Sequence, residues 1–202
     1  MRKRVYISAD YSGTDGDRDV VDVLNKWGSD DLRVVDFVDT AKVVSGSVSD
    51  GDDCRICDLK REFNQQINAS SVVIIIIGDK TASREAGSAC FRATKSQAEC
   101  RCTPYKQNVN GSKPCKVPLT VPSGEFDVGN INEYSYIRHE FEQAKKRGKT
   151  IIVVYNSLYK KPGWLPNYMK DYEAVAQPFW VTSGSDHRIG NYVYIKKALG
   201  YV

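Results

Sequence analysis

Apolar residues along this chain fall into short unbroken runs that alternate with segments of helical period. The densest run is Val72–Ile77, six consecutive β-branched residues bounded by Ser71 and Gly78. It reads as the central strand of a parallel sheet, covered on both faces. Ile151–Val154 is a second such run. Before it lies a helical segment in which Ile137, Phe141 and Ala144 make one apolar stripe, closed by Arg147-Gly148-Lys149 as a basic, glycine-containing stop. Arg4–Ala9 predicts a first strand, with Val5 and Ile7 alternating against Tyr6 and Ser8. A loop of turn-forming residues, Asp10–Gly16, leads into a helix from near Asp17 to Gly28 that carries Val20, Val21, Val23, Leu24 and Trp27.

Leu32–Val38 predicts a second strand and Ser45–Asp53 a polar loop. Cys57–Asn68 predicts a second helix through Leu59, Phe63 and Ile67. Beyond Asn156, residues Ser157–Pro178 are rich in Tyr and Pro and include Trp164, Tyr168 and Tyr172. Phe179–Thr182 reads as a short edge strand, Ser183–Asp186 as a turn and Tyr192–Leu199 as a closing helix. Strand and helix alternate throughout, which predicts an α/β layered domain with a parallel sheet and helices on both faces. One stretch breaks the rhythm. About residues 84–132 show no sustained period, apart from a helical pattern at Ala86–Glu99, and exceed an ordinary connecting loop several-fold. This is an insertion on a single domain spanning residues 1–202.

Composition narrows the function classes. With 41% hydrophobic and 27% charged residues, the 202-residue chain has the make-up of a globular protein. A net charge of +4, with the basic residues scattered, argues against a nucleic-acid partner. No run approaches a membrane span, and the opening MRKRVYISAD is too quickly interrupted for an export signal, so a cytoplasmic location and no membrane partner are expected. Four of the six cysteines (90, 100, 102 and 115) fall in the insertion; the other two form Cys54-Arg55-Ile56-Cys57. The CxxC spacing is metal-like, and Cys100, Cys102 and Cys115 could complete a zinc site; a second CxxC is missing, so no metal is expected, and free thiols, with disulfides as the alternative, are the default without export.

In an open parallel sheet, ligands bind beyond the carboxyl ends of the strands. Here those ends are Ser8-Ala9-Asp10, Asp36–Asp39, Gly78–Thr81 and Tyr155-Asn156. Phe37, at such an end, has either a core role or a stacking role on a ring; Asp39 ends the same strand. Glu140 borders the apolar stripe of its helix and has Gln143 and Ala144, not a cation, at the following contact positions.

Three pieces carry a family resemblance: KRVYISADY at residues 3–11, INASSVVIIIIGDKTAS at 67–83 and YIRHEFEQAKKRGKTIIVVY at 136–155. Together they resemble the Toll/interleukin-1 receptor (TIR) family, and within it the TIR-like cyclases of bacterial antiphage systems of Thoeris type. The family's third piece sets an aromatic, an aliphatic and two polar residues before a Glu, an order that Tyr136-Ile137-Arg138-His139-Glu140 matches without a gap. Tyr136 stands where the family usually has Trp.

The resemblance implies a flavodoxin-like three-layer sandwich with a central parallel five-stranded sheet and, here, a long cysteine-containing insertion before the third helix. It implies that Glu140 is catalytic in cleaving nicotinamide from NAD⁺, and that Ser8, Asp10 and Tyr11 line the nucleotide pocket, unless Asp10 only closes a plain turn; Phe37, Asp39 and Tyr136 are the further substrate-binding candidates. NAD⁺ is then substrate, with no prosthetic group. The expected product is an ADP-ribose-derived, cyclic signal for a separate effector protein in antiphage defence, under a phage-derived trigger or through homo-oligomer assembly. Two other readings stay open: a non-catalytic TIR-type interaction module, and an enzyme like the nucleoside deoxyribosyltransferases.

Overall fold

The computed structural model describes residues 3–11, 16–30, 35–39, 52–84, 135–184 and 187–201. In chain order the elements are β1 (Lys3–Ser8), α1 (Arg18–Gly28), β2 (Val35–Asp39), α2 (Asp52–Ala69), β3 (Val72–Ile77), α3 (Tyr136–Lys146), β4 (Thr150–Tyr155), β5 (Gln177–Pro178), β6 (Trp180–Thr182), β7 (Arg188–Gly190) and α4 (Tyr192–Ala198). The expected insertion beyond Arg84, its helix at Ala86–Glu99, the four cysteines in it and loop residues 45–51 lie outside the described residues. So do residues 32–34, the expected start of the second strand.

The fold is mixed α/β around a parallel sheet. Its hydrogen-bonded order is β2-β1-β3-β4, and two residues of β5 extend it beside Val154 and Tyr155 of β4. β3 lies at the centre, with Val5 to Ser8 of β1 on one edge and all of β4 on the other. Its six residues are fully covered, as a doubly buried run requires. Alternate residues then feed two cores. Val5, Ile7, Val72, Ile74, Ile76, Ile152 and Val154 face α1 and α4. Tyr6, Val73, Ile75, Ile77, Val153 and Tyr155 face α2, α3 and the 165–176 segment.

Three boundaries differ from expectation. α2 begins at Asp52, five residues early. The sheet's last strand is Gln177–Pro178, not Phe179–Thr182. Pro178 has no N–H to donate and is tolerated only at such an edge. The chain then turns Phe179 into the first core, and Trp180–Thr182 pairs antiparallel with Arg188–Gly190 as a separate ribbon. Nothing in the polar Arg188–Gly190 signals a strand in advance.

The ribbon packs on α1 through Trp27, which lies 5.7 Å from the Phe179 ring and edge-on to Tyr192 at 5.0 Å. Gly190 makes this approach possible: a Cβ there would stand 2.8 Å from Trp27 Cζ2 and 3.0 Å from Val23 Cγ1. Gly190→Ala is therefore expected to cost about 1–3 kcal/mol by overpacking. Urea denaturation measures it, and an unchanged midpoint would detach the ribbon from α1.

Candidate functional site

α3 brings the central carboxylate into place. Ser135 caps the helix, its hydroxyl accepting from Arg138 N–H at 3.0 Å. Gly148 ends it at a left-handed φ of +61°, and the turn closes with Lys149 N–H donating to the Ala144 carbonyl. Between these ends, Ile137, Glu140, Phe141 and Ala144 take the i, i+3, i+4, i+7 positions of a core-facing stripe. Glu140 fills a place normally held by an aliphatic residue and is 3% exposed. The neighbouring His139 points at α2, where its Nε2 lies 2.9 Å from Asn64 Oδ1 and 3.2 Å from the Lys60 carbonyl.

Both oxygens of Glu140 are held by β1. The Tyr6 hydroxyl donates to Oε1 at 2.6 Å, and the Ser8 hydroxyl donates to Oε2. Tyr6 and Ser8 are two residues apart on a strand, so they share the face turned to α3. Both are fully buried. Burial raises the Glu140 carboxyl from its ordinary value to about 7, while the two hydroxyl hydrogen bonds pull the other way. Among the described residues no cation pairs with it. The site is thus a single carboxylate, fixed at both oxygens, that changes charge near neutral pH.

The other expected site residues divide. Ser8 joins Glu140 directly. Asp10 lies just past β1; its carboxylate binds Arg84 Nε at 2.6 Å, and its carbonyl accepts from Asp17 N–H at 2.7 Å. Tyr11 and Phe37 are half-buried and pack against the first core, on the face of the sheet opposite Glu140. For Phe37 this is the core role. Asp39 ends β2 beside Ile7. Tyr136 opens α3 and packs edge-on to Phe63 at 5.7 Å. Among the described contacts of these residues, the direct one is between Glu140 and Ser8.

Tyr6 was legible only as an alternating strand residue, although its i, i+2 relation to Ser8 was in plain view. A second carboxylate at the sheet's carboxyl end also escaped notice. Asp17 is 3% exposed, accepts from Asn156 Nδ2 at 2.9 Å, and leaves its Oδ2 without a hydrogen-bond partner. Burial raises it to about 6, against the Asn156 bond. Gly78 admits it, since a Cβ there would stand 2.7 Å from Asp17 Oδ1. Asn156 in turn accepts from Trp180 Nε1 at 2.6 Å and donates to Asp19, which pairs with Arg188.

Fold and site together define a class: a parallel α/β protein with a buried carboxylate near the carboxyl end of its first strand. Compared with known protein families, curated proteins and solved structures, the chain has no match. Among the described residues no group of His, Cys, Asp or Glu has the arrangement of a metal site, and no helix is long and apolar enough to cross a membrane.

The raised carboxyl gives a stability signature. Between the ordinary value of 4.5 and about 7, the folded chain keeps a proton on Glu140 that the unfolded chain has released. This contribution is fully present below pH 4.5, is lost as pH rises to 7, and is flat above. A shift of that size corresponds to about 3 kcal/mol. Glu140→Gln is expected to flatten the fall in melting temperature between pH 5 and 7, leaving the part that belongs to Asp17. Identical slopes in the two proteins would mean that Glu140 is ionised in the fold.

Proposed function

We propose that this protein is a TIR-like enzyme that binds NAD⁺ and breaks its nicotinamide–ribose bond, with Glu140 as the essential carboxylate. The observation that carries this reading is Glu140 itself, a carboxylate placed in an apolar stripe, oriented through both oxygens, and set near neutral pH with no cation partner among the described residues. Strongly perturbed carboxyls with that placement cluster at catalytic sites. The motif resemblance at Tyr136–Glu140 and the sheet order, which is compatible with a flavodoxin-like fold, support the same reading.

The chemistry asks little else of the site. The C1′–N bond breaks with its electron pair going to the pyridinium nitrogen, so nicotinamide leaves neutral and needs no general acid. Positive charge builds on the ribose as an oxocarbenium, and an ionised carboxylate beside it lowers that barrier. The cationic nicotinamide–ribose, held next to Glu140, would itself favour the ionised form. The Tyr6 and Ser8 hydroxyls keep the carboxylate from turning away, which makes them positioning residues. Attack by water then gives ADP-ribose and a proton; attack by an adenine nitrogen of the same molecule gives a cyclic isomer. We favour the cyclic product, as a signal to a separate effector in antiphage defence.

One observation favours a second reading. At 3% exposure, with both oxygens occupied, Glu140 also suits a core pin in a non-catalytic interaction module. The two readings part on turnover. In cells with and without phage challenge, the wild type is expected to consume NAD⁺ and release nicotinamide, with product mass read by chromatography–mass spectrometry. Glu140→Gln is expected to lose activity by about 10²-fold or more, and Tyr6→Phe to retain part of it. NAD⁺ left intact by wild type under challenge supports the module.

A further inference from the structure

A cleft of about 450 Å³ opens beside the carboxyl ends of β3 and β4, between the 81–84 turn, the start of α3 and the 163–168 segment. Its volume is that of a small-ligand pocket. The chemistry of its walls is two-sided. Arg84 enters from the turn after β3 and Arg138 from the first turn of α3, with Ser135 between them at the positive end of the helix. The 163–168 segment also lines the cleft, through Leu165, Pro166 and the ring of Tyr168 beside Gly163 and the exposed amide of Asn167. No carboxylate is among the described lining residues.

Both guanidiniums are steered rather than left as loose surface charges. Arg138 lies over the Tyr168 ring, 5.2 Å from its centroid, and Arg84 is anchored through Nε on Asp10 at 2.6 Å. Planar guanidinium forks suit phosphate oxygens, and a flat apolar surface suits a ring. Glu140 is not among the residues that line the cleft, although its charge is felt at the Tyr168 hydroxyl. Arg138 precedes Glu140 by two residues, about 200° around the helix, and the Glu140 oxygens face Tyr6 and Ser8 on β1.

We propose that this cleft is a second binding site, for a phosphorylated nucleoside, with Arg84 and Arg138 on the phosphate and the Leu165–Tyr168 wall against the base. This assignment goes beyond NAD⁺ cleavage and stands without it. The ligand reaches the proposed catalytic region by two routes. Arg84 is bound to Asp10 in the loop after β1, and Arg138 shares α3 with Glu140. A phosphate drawing on Arg84 competes with Asp10 for the same cation.

Isothermal titration of the full chain with AMP, adenosine and inorganic phosphate tests the site. AMP is expected to bind saturably, with adenosine weaker by about tenfold or more, since it lacks the charge-assisted contacts. Arg138→Gln is expected to weaken AMP by a similar factor. Asn167→Asp, an exposed change at the rim, does the same by placing a negative charge there without touching the core. Glu140→Gln is expected to bind AMP as wild type does, whether or not NAD⁺ is ever cleaved. The assignment is overturned if AMP does not bind, if adenosine binds equally, or if AMP binding survives both Arg138→Gln and Asn167→Asp. AMP binding lost in Glu140→Gln would make the cleft part of the Glu140 site and remove the second site.

Discussion

No residue of β3 is more than 4% exposed, and a strand so placed must be paired along both edges and covered on both faces. β1 and β4 supply the edges in parallel, so each must be reached by a crossover, and the crossovers are the helices. α1 and α4 cover one face; α2 and α3 cover the other. Every candidate group inherits its place from this arrangement. The loops after β1 and β3 emerge side by side at the carboxyl end of the sheet, which is why Asp10 can reach Arg84 and Asp17 can lie against Gly78. In this strand order that is also the point where the chain's winding reverses and a crevice is expected.

Against that background Glu140 is an expensive choice. Its position in the stripe would accept Leu or Met, which would bury apolar surface without desolvating a charge. Two hydroxyls from adjacent same-face positions of β1 offset part of the cost, and the carboxyl still rises to about 7. An aliphatic side chain could give the fold its packing but not a group that carries charge on demand near neutral pH. That difference is the physical ground for treating Glu140 as functional. The same reasoning applies with less force to Asp17, because Asn156 and the start of α1 give it local reasons to be where it is.

Much of the fold was legible because its signals are local. The Val72–Ile77 run, the 137/141/144 stripe and the Arg147-Gly148 stop depend only on neighbours in sequence, and each led to the right element. The sheet edge was misjudged for a non-local reason: Phe179–Thr182 has strand-like residues, but whether they join β4 or leave it depends on Trp27, distant in sequence. The site divides the same way. Glu140 could be singled out from its missing cation and its motif, yet its partners come from the pairing of β1 with α3, which no spacing reveals. Phe37 is the middle residue of β2, where alternation turns it to the other face of the sheet, and Tyr11, in the loop past β1, packs on that same face. Arg84 and Arg138 are separated by more than fifty residues, and their convergence on one cleft depends on the tertiary fold.

α3 is the element through which these observations meet. One side of it carries Glu140 into the core, a second carries His139 to α2, and its first turn brings Arg138 to the cleft. A helix packed on three sides cannot shift at one of them without disturbing the others, because the cores it contacts are close-packed. Arg84 adds a second connection, since its partner Asp10 follows Ser8 by only two residues, and Ser8 is hydrogen-bonded to Glu140. Occupancy of the cleft by an anion would pull on both connections in the same sense, drawing Arg84 from Asp10 and Arg138 from Tyr168. The Ser8–Asp10 segment would then lose the Arg84 ion pair but keep the bond from Asp17 N–H to the Asp10 carbonyl.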